Sequence, residues 1–268
     1  MKLLHISDLH YRIAYETGDG TSSYQSIFRH MTSPLEQLDR CLNMMGENGR
    51  SELNGVLISG DLTENGTAAD YEQLRRELEE RFPDLPLVVT LGNHDNHAAF
   101  REGWLGQVPD ESPYCHTERI GDVSILALDN AGADYPNGII DGARCSWFRQ
   151  AALNEQGQTL ILMMHHHLIS QQAVFPACRV DDKFLPALHE FPVAAILCGH
   201  THQLYRGVYG GIPYRTGMSL SFIGEDRGEI TCMQEACGYS CYELKSGQLA
   251  AEFHEAVADQ PVLGYVRF

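Results

Sequence analysis

The chain has 268 residues, 43% of them hydrophobic and 21% charged, a globular balance that fits one large α/β domain or two small ones. A formal net charge of −17 argues against a generic polyanion binder, because phosphate backbones are gripped by clustered Lys and Arg. An acidic protein still binds a small phosphate when metal ions supply the local positive charge.

The opening "MKLLHISDLH" starts like a secretion signal, but His5, Asp8 and His10 interrupt it before an apolar core forms. No stretch approaches the ~18–20 apolar residues of a membrane helix. The expectation is therefore a cytoplasmic protein that begins with its first strand and uses no membrane. In chain order, "KLLHIS" (2–7), "GVLIS" (55–59), "PLVVTL" (86–91), "VSILAL" (123–128), "TLILMM" (159–164) and "VAAILC" (193–198) read as buried strands. Between the first of them, "PLEQLDRCLNMM" follows Ser33 with Pro34 at the first helical position. "TAADYEQLRRELEERF" opens on a Thr67 cap with Asp70 in the capping-box place. Strand–helix alternation of this kind predicts crossover units and mostly parallel pairing. After residue 203, "QLYRGVYGGIPYRT" and "GYSCYELKSGQLAAEFHEA" read as β hairpins. The expectation is a single domain over 1–268 whose part 203–268 completes the sheets. The weakly patterned stretch 11–33 is long enough to form part of a pocket rim.

Eight cysteines include no C-x-x-C pair. Cys232, Cys237 and Cys241 in "CMQEACGYSC" match no common zinc spacing, so reduced thiols packed as small hydrophobes are expected.

Polar clusters sit at the strand ends. "ISDLH" supplies Asp8 and His10, "ISGDLTENG" Asp61, and "TLGNHDNH" Asn93, His94 and Asp95. "MMHHHL" supplies His165, His166 and His167, and "LCGHTHQ" His200 and His202. Carboxyl ends of parallel strands are the usual site location in open α/β sheets. Asp8 with His10, and His200 with His202, are two apart, which in extended chain directs both side chains to one side. Gly60, Gly92 and Gly199, each before a candidate ligand, suit sharp exits. An oxygen-and-nitrogen donor set suits Zn, Mn or Fe and is too rich in imidazole for Mg or Ca. So many candidates exceed one tetrahedral ion but suit two ions sharing a carboxylate, a standard arrangement for phosphate-ester hydrolysis by a deprotonated water between them. Each motif alone is weak; the ordered set at successive strand ends is not.

That ordered set, D-x-H, G-D, G-N-H-D, H and G-H-x-H from Asp8 to His202, resembles the calcineurin-like metallophosphoesterases. Within them "SGDLTENG" and "GNHDNHAAF" are similar to class III cyclic-nucleotide phosphodiesterases and glycerophosphodiesterases. They are unlike Ser/Thr protein phosphatases, which carry Asp and Arg near the places of Glu64 and Asn65. The resemblance implies an α/β sandwich of two packed mixed β-sheets flanked by helices, and two divalent transition-metal ions (Mn, Fe or Zn). Asp8, His10 and His202 would hold the first ion, Asp61 would bridge, and Asn93, His200 and one of the three histidines would complete the second. His94 would protonate the leaving oxygen, and Asp95 would stand behind the ligands. The family segment H-H-P-P places its ligand at His165; sliding the match by one makes it His166. His165 is favoured because it directly follows the apolar run, leaving His166 and His167 as pocket-wall groups. His5, His30, His97, His116, His189 and His254 are expected as surface or satisfied core residues, and Trp147 as a helix-to-sheet packing group.

The implied function is phosphoester hydrolysis, with a metal-bridging hydroxide as nucleophile. Small diesters, cyclic nucleotides or glycerophosphodiesters, are favoured over monoesters, nucleotides or nucleotide sugars. A non-catalytic scaffold would have lost ligands, and here every ligand place is filled. No Lys/Arg stripe predicts a nucleic-acid polymer as partner. Relatives of this kind commonly pair, so a homo-oligomer is compatible with the reading, although no segment marks an interface.

Overall fold

The computed structural model describes residues 1–15, 23–132, 135–173 and 175–267. The first half runs β1 (Lys2–Ile6), α1 (Ser23–Ile27), α2 (Pro34–Ser51), β2 (Gly55–Ser59), α3 (Ala68–Arg81), β3 (Leu87–Thr90), α4 (His97–Gly103), β4 (His116–Ile120) and β5 (Val123–Ala127). Next come β6 (Ile139–Ile140), α5 (Gly142–Asn154), β7 (Thr159–Met163), β8 (Arg179–Val180), α6 (Phe184–Leu188) and β9 (Val193–Cys198). The rest is β10 (Tyr205–Tyr209), β11 (Ile212–Thr216), β12 (Phe222–Asp226), β13 (Thr231–Glu235), β14 (Gly238–Lys245), β15 (Gln248–Ala256) and β16 (Val262–Val266).

Two large mixed sheets result. One has the order β15-β14-β1-β2-β3 and the other β10-β11-β9-β7-β5-β4. The six apolar runs form the parallel strands β1, β2 and β3 of one sheet and β5, β7 and β9 of the other. The alternation within each strand decides which layer a side chain enters. On β1, Leu4 and Ile6 join the core under the helices with Leu38, Leu74 and Leu78. Leu3 points the other way, into an inter-sheet core with Leu57, Val88, Ile125, Ile161 and Leu197. A third core, around Phe148, Leu162 and Phe184, packs α5 and α6 onto the outer face of the second sheet. Phe148 is the fully buried anchor of α5, and Trp147 only flanks that core.

The two C-terminal hairpins each extend a sheet: β14 pairs with β1, and β11 with β9. A separate sheet of β12, β13 and β16, not anticipated from the sequence, covers a small core with Ile27, Phe28 and Met31. α2 continues past the predicted segment to Ser51, with a break at Gly46 (φ 70°, ψ 168°) that only glycine adopts without strain.

Candidate metal centre

The parallel strands of both sheets end at one place. Asp8 and His10 follow β1, Asp61 follows β2, His94 and Asp95 follow β3, His165 to His167 follow β7, and His200 and His202 follow β9. Their side chains gather into three groups whose ligand atoms lie within 4.8 Å of one another: Asp8, His10, Asp61 and His202; His165, His166 and His200; and His10, Glu64 and His94. Asp61 Oδ2 stands 3.5 Å from His10 Nε2 and 3.3 Å from His165 Nε2, so one carboxylate faces the first two groups.

The convergence does not come from extended chain, as the two-residue spacing suggested. Asp8 (φ 53°), His10 (φ 50°), Asp61 (φ 48°), His200 (φ 71°) and His202 (φ 59°) all sit in the left-handed region. Such backbone costs of order 1–3 kcal/mol per non-glycine residue and gathers at functional sites. Gly199 and Gly92 let two strand ends approach the cluster closely. A Cβ at Gly92 would collide with Asp61 Oδ1 and sit 2.7 Å from His165 Nε2. One at Gly199 would collide with Ser7 Oγ.

Hydrogen bonds set the tautomers. His10 Nδ1 donates to Glu64 Oε2 (2.7 Å), His202 Nδ1 to the Phe222 carbonyl (2.5 Å) and His165 Nδ1 to the Ser59 carbonyl (2.8 Å). Each ring therefore presents an Nε2 lone pair inward. His10 Nε2 and His202 Nε2 then face each other at 3.3 Å, and His165 Nε2 faces a carboxylate oxygen. Among the described residues, Nε2 of His166 and His200 is buried without a hydrogen-bond partner, at a cost of about 1–3 kcal/mol for each such group. Lone pairs aimed at lone pairs are relieved by a cation between them, so the donor set fits divalent metal ions. Burial pushes His202 and His167 down to about 4 and also lowers His166 and His200, keeping these imidazoles neutral. Burial would lower His165 too, but the Asp61 carboxylate prevails and raises it to about 9, a proton taking a cation's part in the ion-free protein.

Asp8 accepts from the His200 main-chain N–H at 3.1 Å, while Ser219 and Ser221 hydroxyls donate to its carbonyl. Asp95 takes hydrogen bonds from the N–H groups of Leu62, Thr63 and Gly92 and from Tyr71 Oη (2.8 Å), tying the turns after β2 and β3 together. His94 is partly exposed, its main-chain N–H donating to Asp61 Oδ1 at 2.9 Å and its Nδ1 standing 3.0 Å from Glu64 Oε2. Burial would lower His94, yet Asp61 and Glu64 outweigh it and raise it to about 9. Asn93 is exposed in the same turn. His97 pairs with Asp129 instead (2.8 Å), and His5 is satisfied by Ser59 Oγ (2.8 Å). Cys232 and Cys241 are free, and Cys237 lies 3.6 Å from Cys41, Sγ to Sγ.

Two contributors escaped the sequence reading. Glu64, noted there only as a departure from the phosphatase pattern, touches both His10 and His94. Asn130, at the end of β5, accepts the main-chain N–H groups of His165 (3.2 Å) and His166 (3.1 Å). The strand-end argument, applied to "ALDNAG" as it was to the other strands, would have found it.

A two-sheet α/β sandwich with histidines and aspartates gathered at its parallel strand ends defines a metal-centred class of protein. A family profile described as calcineurin-like phosphoesterase matches residues 1–204, and the chain belongs to that family. It is 28% identical over 218 residues to a cAMP/cGMP dual specificity phosphodiesterase of Mycobacterium tuberculosis, covering 79% of this chain and 64% of that one. It is 25% identical over 185 residues to "Probable glycerophosphodiester phosphodiesterase GpdQ" of Arcobacter nitrofigilis, covering 62% and 63%. The chain spans about three fifths of the length of the curated relatives it matches. Among solved structures, a hypothetical protein from Thermus thermophilus superposes with a TM-score of 0.54 at 14% identity, over 97% of this chain and 100% of that one. GAP50, the anchor in the inner membrane complex of Plasmodium, superposes with a TM-score of 0.52 at 12% identity over 97% and 89%. Both likenesses concern the fold. No helix among the described residues is long and apolar enough to cross a membrane.

Proposed function

We propose that the protein is a dinuclear-metal phosphoester hydrolase acting on small phosphodiesters, cyclic nucleotides or glycerophosphodiesters. One observation carries the reading: Asp61 Oδ2 faces the inward-turned Nε2 atoms of two imidazoles, His10 at 3.5 Å and His165 at 3.3 Å. Asp8, His10 and His202 would hold one ion and His165, His200 and Asn93 the other, with Asp61 shared. When bound, the ions lower the pKa of a water near neutral pH and draw charge from the phosphoryl oxygens.

The remaining work belongs to side chains. His94 has Nδ1 engaged by Glu64, and no hydrogen bond to its Nε2 forms among the described residues. In the ion-free protein it carries a proton up to about pH 9, and it delivers that proton to the leaving oxygen as a general acid. Glu64 holds the rings of His10 and His94 in one orientation. Asp95 fixes the turn that carries His94. Diester preference is supported by the phosphodiesterase names of the relatives. The stretch 11–33, expected at the pocket rim, includes residues 16–22, which lie outside the described residues.

The test compares bis(p-nitrophenyl) phosphate with p-nitrophenyl phosphate, using chelator-stripped protein reloaded with Mn²⁺. Faster diester turnover, abolished by Asp61→Ala, is the expected result. A monoester preference would move the reading to a phosphatase or nucleotidase, and metal-independent turnover would sink it.

A further inference from the structure

His166 is wholly buried, and its surroundings are those of a ligand rather than of a packed core histidine. Its Nδ1 lies 3.3 Å from Asn130 Oδ1, the oxygen that also accepts the main-chain N–H groups of His165 and His166. Asn130 Nδ2 in turn donates to the His166 carbonyl at 3.1 Å. Asn130, just after β5, thus fixes the turn and faces the ring, which also has the Pro136 main chain as a hydrogen-bond partner. With Nδ1 as donor, Nε2 is left as a lone pair, and that atom is buried with no partner. The ring stands 4.9 Å from His165 and 4.5 Å from His200, centroid to centroid. One nitrogen from each of the three residues lies within 4.8 Å of the others. The loop at Gly138 (φ 79°) closes against the back of the ring so tightly that a Cβ there would sit 2.5 Å from His166 Cγ. The ring therefore has no room to swing away.

We infer that His166 supplies a third imidazole nitrogen to the ion held by His165 and His200. The inference rests on the dinuclear reading above and adds to it a donor that the family pattern offers only in place of His165, not beside it. Three imidazoles beside one carboxylate suit Zn or Co better than Mn, because imidazole favours the later metals while Mn prefers oxygen donors. His167 provides an internal control. It is also buried, and its ring has the Phe175 main chain as a hydrogen-bond partner. Its ring, however, lies 5.7 Å from His200, and it falls outside the three-histidine group.

The experiment titrates the chelator-stripped full-length chain with Zn²⁺ against a chromophoric chelator, and with Co²⁺ followed by visible absorption. His166→Ala and His166→Phe are compared with wild type and His167→Ala. The Phe variant fills the space of the ring without a nitrogen, and circular dichroism of each ion-free variant verifies its fold. Two ions in wild type, one of them bound more weakly in both His166 variants by at least the roughly ten- to a hundredfold that loss of a group behind a ligand costs, with an altered cobalt band and no change in His167→Ala, is the expected result. Two ions with unchanged affinity and spectrum in the folded His166 variants overturns this inference alone. Fewer than two ions in wild type overturns the dinuclear reading and the inference together.

Discussion

At the scale of single residues, Glu64 connects the two chemical tasks of the centre. Burial would raise its carboxyl, but the hydrogen bonds to His10 and His94 prevail and hold it down at about 2. It therefore stays charged, keeps His10 in the ligand tautomer and supports the proton on His94. On the proposed role of His94 as the acid, which must be protonated, activity should be held below its pKa and lost as pH rises through it. Glu64→Gln removes the charge and one of two good acceptors. The expected outcome is a fall in kcat/KM of about ten- to a hundredfold, with the alkaline limb of the pH profile moved to lower pH. A variant with wild-type rate and an unmoved limb would leave Glu64 without this role. Sequence alone exposed the donors, because a D-x-H or G-H-x-H pair is a local pattern. The residues that orient them are brought in by tertiary contacts: Glu64 reaches His10 across 54 residues, and Asn130 reaches His165 across 35. Periodicity carries no record of such pairs.

At the scale of elements, the cap of α3 does more than start a helix. Thr67 and Asp70 form the capping box, and the Asp70 carboxylate also accepts the Ile13 N–H (2.9 Å) and pairs with Arg12 Nε (3.2 Å). The same aspartate thus anchors the chain just after His10. Thr67→Ala is expected to cost about 1 kcal/mol. Asp70→Ala should cost more, about 2–4 kcal/mol, since it strands a part-buried Arg12 and two main-chain donors. Urea unfolding of the two variants checks the order, and an Asp70→Ala cost no larger than that of Thr67→Ala would remove the second duty. The six buried strands and the starts of α2 and α3 were legible because apolar runs and caps are short-range signals. The sheet of β12, β13 and β16 was not: its residues alternate weakly, and β16 finds β13 only through the fold. The left-handed turns under Asp8, His10, Asp61, His200 and His202 were also hidden: Asp and His enter that backbone more readily than most residues, but residue type alone does not say where.

At the scale of the whole molecule, a wholly buried imidazole lies between the two sheets. His5 sits on β1, on the same face as Leu3, wholly buried against Ser59 Oγ (2.8 Å) and beside Gly217, on the connection after β11 of the opposite sheet. Packing two sheets over a neutral histidine makes the sandwich acid-sensitive for a reason separate from the metal centre. Burial, with a smaller push from His254, lowers His5 to about 3, whereas the unfolded chain binds this proton near pH ~6.5. The group is therefore depressed in the folded state. Its contribution is fully present above pH ~6.5 and is lost as pH falls toward about 3, because only the unfolded chain takes up the proton. At pH ~5 that loss amounts to about 2 kcal/mol. Asp8, raised by burial in the ion-free protein, works in the opposite direction over part of the range, so the wild-type curve alone does not isolate His5. The difference between wild type and His5→Gln does. Chelator-stripped proteins unfolded in urea between pH ~7.5 and ~5 should show the variant losing less stability on acidification than wild type, by about those 2 kcal/mol, whatever its stability at the alkaline end. Parallel curves would mean that acid enters the sandwich elsewhere and that the His5 proton is not what the two sheets exclude.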